Sequence, residues 1–170
     1  MPETDPMKVV VVGGVAGGMS AAARLRRLNE NAEIVVLERD DYVSFANCGL
    51  PYHIGGDIPH RSSLLLQTPA SLAASLSLEV RTGHEVLAID RGAHELEVVE
   101  RASGREYTER YDKLVLATGA TPIKPPIPGI DKEIIHTVPE ILNYKNPEKT
   151  KTVVLGGGAT GCEVAHHLSE

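Results

Sequence analysis

The sequence predicts an α/β fold, a three-layer domain that combines a parallel β-sheet with an antiparallel β-meander. Near the start of the chain, a short apolar strand runs directly into a glycine-rich loop and an alanine-rich helix, and a similar order recurs near its end. Between the two loops, three stretches of alternating residues are separated by short turns. The first pattern is typical of parallel sheets, and the second of antiparallel ones.

The first 38 residues predict one βαβ unit. Residues 7–12 are rich in valine, as expected for a strand buried on both faces. The loop 13–18 follows, then a helix over residues 19–28 made of good helix formers. Residues 34–37 form the second strand, which ends in Glu38.

This unit has the mechanics of a Rossmann-like dinucleotide site. Backbone N–H groups at the start of the helix can hold a pyrophosphate, and Glu38 can accept hydrogen bonds from the adenosine ribose. In the G-x-G-x-x-G register, Gly13 and Gly18 are present but Val15 takes the middle position. The loop alone would equally suit a simple strand-to-helix connection, and the flanking strand, helix and acid favour the nucleotide site.

A second loop of the same kind follows a strand predicted over residues 151–155. Here the full glycine pattern is present, at Gly156, Gly158 and Gly161. The alternative is a tight strand-to-helix turn. Two dinucleotide sites in one chain indicate electron transfer between two cofactors.

The segment 44–56 sets Cys48 where its thiol can react. Asn47 offers a capping side chain, so that a short helix starting there places Cys48 in its first turn. Free backbone N–H groups and the positive end of the helix dipole favour the thiolate there. Gly49 allows another backbone or a flat cofactor to approach closely. The alternative is a buried cysteine that packs as a small hydrophobe.

The other cysteine, Cys162, lies on the predicted final helix with the pair His166 and His167. We expect Cys162 to be a packing residue and the histidines to be partly exposed. No surrounding cluster has the spacing of metal ligands, so no metal site is predicted. No second cysteine lies near Cys48 in the sequence.

Between the loops the sequence predicts further elements of one continuing domain. The turns of the meander contain glycine, and a stretch with four prolines can join neither a helix nor a central strand. The predicted elements are a helix over 68–75, a strand over 78–80, meander strands over 85–90, 95–101 and 105–110, a buried strand over 113–117, an extended connector over 122–128 and a short helix over 138–144.

Four segments resemble the pyridine nucleotide-disulfide oxidoreductases that carry a single active-site cysteine, a group that includes coenzyme A-disulfide reductases, NADH oxidases, NADH peroxidases and persulfide or polysulfide reductases. The resemblance covers nearly the whole chain, and Ser44 to Gly56 is its most specific part. The other three segments are Gly-Gly-Val-Ala-Gly-Gly-Met-Ser-Ala-Ala-Ala from Gly13, Tyr-Asp-Lys-Leu-Val-Leu-Ala-Thr-Gly-Ala-Thr-Pro from Tyr111, and Val-Leu-Gly-Gly-Gly from Val154.

The resemblance implies FAD at the first loop, NAD(P)H as co-substrate, and Cys48 over the flavin. It implies catalytic roles for Cys48, Ser44 and Asn47. Ser20, Arg24 and Arg27 are implied on the coenzyme A side, although Arg24 departs from the residue type usual in the group, and both arginines would equally suit a solvated helix face. The implied cofactor-binding residues are Gly13, Val15, Ala16, Gly17, Gly18, Glu38, Arg39, Thr118, Gly119, Gly156, Gly158 and Gly161.

The expected function is therefore reduction of coenzyme A disulfide, or a related persulfide or polysulfide, through Cys48 and flavin. Two alternatives stay open. One is an NADH oxidase or peroxidase in which Cys48 cycles through sulfenic acid. The other is a non-catalytic flavin-binding fragment.

Composition sets limits that agree with these expectations. The chain has 170 residues and a net charge of −6, which argues against nucleic acid as a partner. No signal peptide or membrane span is predicted. Two widely separated cysteines suit a reducing cytoplasm.

The predicted organisation is an incomplete FAD-binding domain over 1–120, a connector with a short helix over 121–150, and the start of a second Rossmann-like domain over 151–170. A βαβ unit needs roughly 30 residues, more than the last segment provides. We therefore expect a fragment of a longer protein, inactive by itself, and a homodimer when full-length.

Overall fold

The computed structural model describes residues 6–121, 123–137, 140 and 152–169. The chain forms two compact units. The first combines Met1–Phe45 with Leu65–Gly119, and the second combines Ala46–Leu64 with Ala120–Glu170.

The first unit contains a parallel and an antiparallel sheet. The strands are β1 (Lys8–Val12), β2 (Glu33–Glu38), β3 (Glu79–Thr82), β4 (His84–Asp90), β5 (Glu95–Glu100), β6 (Arg105–Arg110) and β7 (Lys113–Leu116). The parallel sheet has the order β3-β2-β1-β7, and the meander has the order β4-β5-β6. Both the predicted βαβ start and the predicted meander are confirmed.

Helices α1 (Ala16–Leu28) and α3 (Pro69–Leu76) pack on one face of the parallel sheet, where Met19, Ala22 and Leu72 meet Val11 and Val36 in one core cluster. The opposite face carries Val10, Val12, Val35 and Leu37, which pack with Leu96 and Val98 of the meander. Successive valines of β1 therefore serve different layers, because neighbouring side chains of a strand point to opposite faces. The predicted three-layer domain is confirmed.

The predicted helix boundaries need small corrections. Helix α1 begins at Ala16, three residues before the predicted start. The glycines at 17 and 18 are tolerated because the first N–H groups of a helix have no intrahelical partner to lose. Helix α3 begins as predicted after Thr68, whose side chain accepts a hydrogen bond from the Ser71 N–H at 3.1 Å as part of a capping box.

A buried carboxylate joins the meander to the parallel sheet. Glu109 of β6 forms ion pairs with Lys8 of β1, at 2.8 Å, and with Arg81 of β3. Burial by itself raises the pKa of Glu109, but the hydrogen bonds and charges of Lys8 and Arg81 outweigh it and hold the pKa below its ordinary value. The carboxylate is therefore ionised and fully partnered within the layer interface.

The secondary-structure elements described in the second unit are helices and 3₁₀ turns. This unit contains a 3₁₀ turn at Asn47–Gly49, helix α2 (Leu50–Gly55), a second 3₁₀ turn at Arg61–Leu64 and helix α4 (Ala159–Ser169). Helices α2 and α4 pack against each other.

Two predictions around the connector have different outcomes. Residues 123–127 lie outside helices and strands, as expected for the proline-rich connector, while Pro122 lies outside the described residues. The helix predicted over 138–144 also lies outside them, apart from Glu140.

The strand predicted over 151–155 is wrong for the residues that the structure describes. Residues 152–157 belong to neither helix nor strand, and the side chains of Val153 and Leu155 are exposed. A strand requires hydrogen bonds to a neighbour, and the described ranges pair no other segment with this one. Within the same ranges, no helix is long and apolar enough to cross a membrane.

Candidate functional site

The first glycine loop is shaped by two close backbone approaches. Gly13 has a φ of +103°, and a Cβ there would overlap the carbonyl oxygen of Ala117. At Gly18 a Cβ would overlap the carbonyl oxygen of Gly13 and lie 3.2 Å from Val11 Cγ1. Glycine at 13 permits the sharp turn, and glycine at 18 lets α1 lie directly against β1.

The start of α1 provides donors for an anion. The first helical hydrogen bond runs from the Met19 N–H to the Val15 oxygen, at 3.0 Å, so the N–H groups of Ala16, Gly17 and Gly18 precede the bonded ladder. Ala16 and Gly17 are exposed, and the first turn contains no acidic residue. The position occupied by Val15 does not obstruct this arrangement, because Val15 is the N-cap and its backbone forms the turn. These residues fit a pyrophosphate.

Glu38 ends β2 beside this loop with its carboxylate already oriented. Its Oε2 accepts the Gly14 N–H at 2.6 Å, and its Oε1 accepts the Asp40 N–H at 2.9 Å. An ionised carboxylate has about four acceptor positions, so two remain for a ligand. The residue is only 7% exposed, which limits those positions to one direction of approach.

Sequence reasoning missed Gly14 and Asp40, although both set the position of Glu38. A Cβ at Gly14 would lie 3.0 Å from Glu38 Cβ and 3.1 Å from Val43 Cγ1, so any side chain there would press on Glu38 and Val43. The signal available in the sequence was the glycine doublet at 13 and 14. Asp40 acts through its backbone, which carries no residue-type signal.

The remaining predicted residues of the first cofactor site lie near the same edge of the sheet. Thr118 and Gly119 follow β7 and are exposed, with Gly119 at a φ of +69°. Arg39 follows Glu38 and is also exposed. The carboxyl ends of β1, β2 and β7 thus present the loop, the acid and the Thr118–Gly119 turn together, as ligand sites of parallel sheets do.

Helix α1 exposes a second group of predicted residues. Ser20, Arg24 and Arg27 are all exposed and are spaced i, i+4 and i+7, which places them on one face. The arginine between them in the sequence has a structural role, since the guanidinium of Arg26 donates to the carbonyl oxygens of Leu76 and Ser77, each at 2.9 Å. Arg24 and Arg27 therefore remain directed to solvent.

The structure places Cys48 in the 3₁₀ turn that leads into α2, and its side chain is exposed. The prediction of a first-turn position is confirmed, and the alternative of a buried packing cysteine is excluded. The capping prediction for Asn47 is wrong: the N-cap is Ala46, and the turn Asn47–Gly49, which is fully described, has no side-chain cap. Asn47 is itself the first residue of the turn and is exposed, so its amide is directed to solvent beside Cys48 in the sequence.

Gly49 does not leave an open approach for a cofactor, contrary to expectation. It is buried, and a Cβ there would lie 2.5 Å from Leu64 Cδ2. The close neighbour is therefore the chain's own Leu64, and Gly49 fixes the turn against it.

Ser44, predicted to be catalytic, belongs to the first unit, whereas Asn47 and Cys48 belong to the second. Ser44 has a φ of +49°, uncommon for a residue with a side chain. Its N–H donates to the Gly14 oxygen at 2.9 Å, and its oxygen accepts the Leu66 N–H at 3.2 Å. The backbone of Ser44 is thus anchored to the glycine loop.

The second glycine loop repeats the geometry of the first. Gly156 has a φ of +117°, and a Cβ at Gly161 would overlap the Gly156 carbonyl oxygen. A Cβ at Gly158 would meet no atom within 4 Å in the described part of the chain. This loop therefore fits the close approach of a second dinucleotide.

The packing role predicted for Cys162 is wrong. Its side chain is exposed on α4, and its thiol lies 3.5 Å from the Gly157 oxygen. Helical periodicity explains this, since Val164 is the buried residue of this turn and Cys162 lies two positions away, on the other side. His166 is exposed, and the side chain of His167 lies outside the described part. Among the described residues, no cluster of histidine, cysteine or acidic side chains could hold a metal.

Comparison with known proteins agrees with this geometry. The family model for pyridine nucleotide-disulphide oxidoreductases matches residues 7–170. The coenzyme A disulfide reductase of Staphylococcus aureus strain JH9 is 35% identical in an alignment of 170 positions that covers 96% of this chain and 38% of that protein. The chain thus spans about two-fifths of the length of the curated relatives it matches.

Three solved structures are similar over 96% of the chain. The reduced CoADR-RHD of Bacillus anthracis has a TM-score of 0.89 and 43% identity, with 31% of its chain covered. The NAD-dependent persulfide reductase of A. fulgidus has a TM-score of 0.87 and 36% identity, with 32% covered. The water-forming NADH oxidase of Lactobacillus brevis, bound to NADH, has a TM-score of 0.84 and 34% identity, with 37% covered.

The loops, the acid and the exposed cysteine thus occur in a chain whose sequence and fold match one family throughout. The chain belongs to the pyridine nucleotide-disulphide oxidoreductase family.

Proposed function

We propose that this chain supplies the FAD site and the redox cysteine of an NAD(P)H-dependent oxidoreductase that reduces coenzyme A disulfide or a related persulfide or polysulfide. The observation that carries this proposal is the exposed thiol of Cys48 in the first turn of a helix. Similarity to a coenzyme A disulfide reductase and to a persulfide reductase supports the substrate class.

The first unit fits the ADP half of FAD. The N–H groups at the start of α1 would hold the pyrophosphate, and the two remaining acceptor positions of Glu38 would receive the two ribose hydroxyls. The exposed backbone at Thr118 and Gly119 would border the cofactor. When bound, FAD supplies transfer of an electron pair from NAD(P)H to sulfur. The second loop would hold the nicotinamide nucleotide.

Cys48 performs the exchange chemistry. Its thiolate attacks one sulfur of the disulfide, the S–S bond breaks, and one thiolate leaves. The other half of the substrate is then held in a mixed disulfide with Cys48. Two electrons and one proton return Cys48 to the thiolate and release the second thiol. Cys48 and Cys162 are both free thiols, and in this proposal the mixed disulfide takes its second sulfur from the substrate.

The exposed face of α1 supports a phosphate-bearing substrate. Arg24 and Arg27 present two guanidinium groups to solvent, with Ser20 one turn before them. Guanidinium groups bind phosphate oxygens in paired geometry. We assign this face to the nucleotide end of coenzyme A, and Ser44 and Asn47 to the end nearest the sulfur.

The test is adduct formation with coenzyme A disulfide. The reduced chain is mixed with coenzyme A disulfide, and its mass and the released coenzyme A are measured. We expect one coenzyme A adduct per chain and one released thiol, both lost in Cys48→Ser and both retained in the matched variant Cys162→Ser. Adduct formation that survives Cys48→Ser would refute the role of Cys48. Binding of FAD by the same protein is measured separately, by native mass spectrometry.

A second candidate is an NADH oxidase or peroxidase, favoured by the similarity to the water-forming NADH oxidase. In that reaction Cys48 would be oxidised by peroxide to sulfenic acid. Treatment with hydrogen peroxide and trapping with dimedone would then label Cys48, and coenzyme A disulfide would give no adduct. A chain that binds FAD and gives neither product would be a non-catalytic flavin-binding fragment.

The proposed setting is a reducing cytoplasm, supported by two exposed cysteines that form no disulfide although the structure describes both. The net charge of −6 supports small molecules rather than nucleic acid as partners. We assign the full-length protein as a homodimer without a membrane partner, and size-exclusion chromatography with light scattering tests this assignment.

A further inference from the structure

The loop that follows Glu38 is tied to the meander. The oxygen of Asp40 accepts the Gly83 N–H at 3.1 Å, and the oxygen of Gly83 accepts the Arg101 N–H at 2.8 Å. Gly83, at a φ of +71°, is the single residue between β3 and β4. The turn between the two sheets thus binds the Asp40 peptide on one side and the end of β5 on the other.

The side chain of Arg101 strengthens this link. Its Nη1 lies 3.3 Å from the Arg39 oxygen and 3.4 Å from Asp40 Oδ1, and its Nε lies 3.9 Å from a Glu85 carboxylate oxygen. The guanidinium therefore contacts both the first residues after β2 and the first strand of the meander, β4. Arg39 also approaches Asp40 Oδ1, at 3.6 Å. Because Arg39 belongs to the same loop as Asp40, this contact does not tie the loop to the meander as the contacts of Arg101 do.

The Asp40 peptide is in turn one of the two donors that orient Glu38. Its N–H bonds to Glu38 Oε1 at 2.9 Å, while Gly14 bonds to the other oxygen at 2.6 Å. The Gly14 donor belongs to the glycine loop, which the Gly13 N–H ties to the Leu37 oxygen of β2 at 2.8 Å. The Asp40 donor belongs to an exposed loop, so its position depends on what anchors that loop.

We propose that Arg101 is a positioning residue for the adenosine ribose: by anchoring the Arg39–Asp40 loop to the meander, it holds the Asp40 N–H on Glu38 and keeps the carboxylate turned toward the ribose hydroxyls. The inference rests on the proposed FAD site, and it gives the meander a role in binding the cofactor. Arg101 is not one of the two donors to the Glu38 carboxylate, and it acts on that carboxylate through Asp40.

The first experiment needs no cofactor. Amide hydrogen exchange is measured by NMR at Asp40, with Gly92 as the internal reference, because the Gly92 N–H is held by Asp90 in the same meander at 2.8 Å. In Arg101→Gln we expect the Asp40 amide to exchange about 3- to 10-fold faster, with Gly92 unchanged. General loss of stability would accelerate both amides, and equal rates at Asp40 in both proteins would overturn the proposal.

The second experiment compares FAD with its analogue lacking the 2′- and 3′-hydroxyls of the adenosine ribose. We expect the native chain to prefer FAD by about 10-fold or more, as for hydrogen bonds to a charged group, and Arg101→Gln to reduce that preference about 3-fold or more. Arg101→Lys, which keeps one charged contact, should restore part of it. The control is Arg110→Gln, since Arg110 is an exposed meander arginine paired with Glu95 and distant in sequence from the loop.

The two experiments separate the inference from the function on which it rests. If the native chain does not bind FAD, the proposed cofactor site fails, while the exchange rate at Asp40 still decides whether Arg101 anchors the loop. If FAD binds and both the preference for ribose and the Asp40 exchange rate are unchanged in Arg101→Gln, the cofactor site stands and the positioning role is refuted.

Discussion

Substitution of Gly18 by alanine should separate α1 from β1. A Cβ at this position would overlap the Gly13 carbonyl oxygen and lie 2.9 Å from its carbonyl carbon. Carbon atoms pack at roughly 3.5–4.0 Å, so the helix must retreat by at least about 0.6 Å. Both sides of the contact are backbone, and a rotamer change cannot relieve it.

The cost follows from what the retreat disturbs. Met19 and Ala22 on α1 are buried against the sheet, and their packing weakens when the helix moves. Overpacking of a close-packed interior costs about 1–3 kcal/mol, and a contact between two backbone segments belongs at the upper end. With an m-value of roughly 2 kcal/mol/M, a loss of about 3 kcal/mol lowers the urea midpoint by about 1.5 M.

The assay is urea unfolding followed by circular dichroism, with Gly17→Ala as the matched control for stability. A Cβ at Gly17 would lie 3.8 Å from Ala117 Cβ, an ordinary contact. Alanine in a helix is favoured over glycine by about 0.8–1.0 kcal/mol, so this variant should be as stable as the native chain or more so. Equal midpoints for Gly18→Ala and the native chain, or equal losses in both variants, would refute the reasoning.

Three further predictions concern stability and the cofactor site. Lys8 and Arg81 hold the pKa of Glu109 below its ordinary value of about 4.5, against the effect of burial. The ionised Glu109 carboxylate therefore stabilises the fold fully above that ordinary pKa, and this stabilisation is lost as the pH falls through the lower pKa of the folded state. Urea midpoints from pH 7 downward should therefore decline less steeply in Glu109→Gln, and parallel pH profiles would contradict this. Glu38→Gln sets an amide NH₂ against a backbone N–H, so we expect the free energy of unfolding in urea to fall by about 1–3 kcal/mol. We also expect FAD binding, measured by fluorescence titration, to weaken about 10-fold, and an undiminished FAD affinity would count against the role of Glu38 at the ribose. Thr68→Ala removes the cap of α3 and should cost about 1 kcal/mol in the same urea assay, with Thr68→Ser as the control that retains the cap.

Much of the first unit was predictable from contiguous residues. The valine run, the glycine loop and the alternating meander each encode a local period or turn, and such features depend on neighbours in the sequence. The same holds for the exposed first-turn position of Cys48 and for the capped start of α3. Glu38 was recognised because a terminal acid after the second strand is a local signal.

The tertiary structure decided the features that depend on distant partners. The second glycine loop has the sequence of a strand–loop–helix, but within the described ranges no strand pairs with residues 152–157. Ladder bonds require a neighbour that the local sequence does not specify. Gly49 was expected to admit a cofactor and instead packs against Leu64. Cys162 was expected to be buried, and the helix turned it outward.

By itself, the sequence determined the layers, the loop and the identity of the acid and the thiol, since these follow from side-chain period, backbone freedom and functional groups. Only the tertiary structure decided how the acid is held. The carboxylate of Glu38 is oriented by the N–H groups of Gly14, 24 positions away in the chain, and of Asp40, whose peptide is anchored by Gly83. Backbone donors are present at nearly every residue, so their identity cannot reveal which of them will meet, and that choice is made when the layers pack.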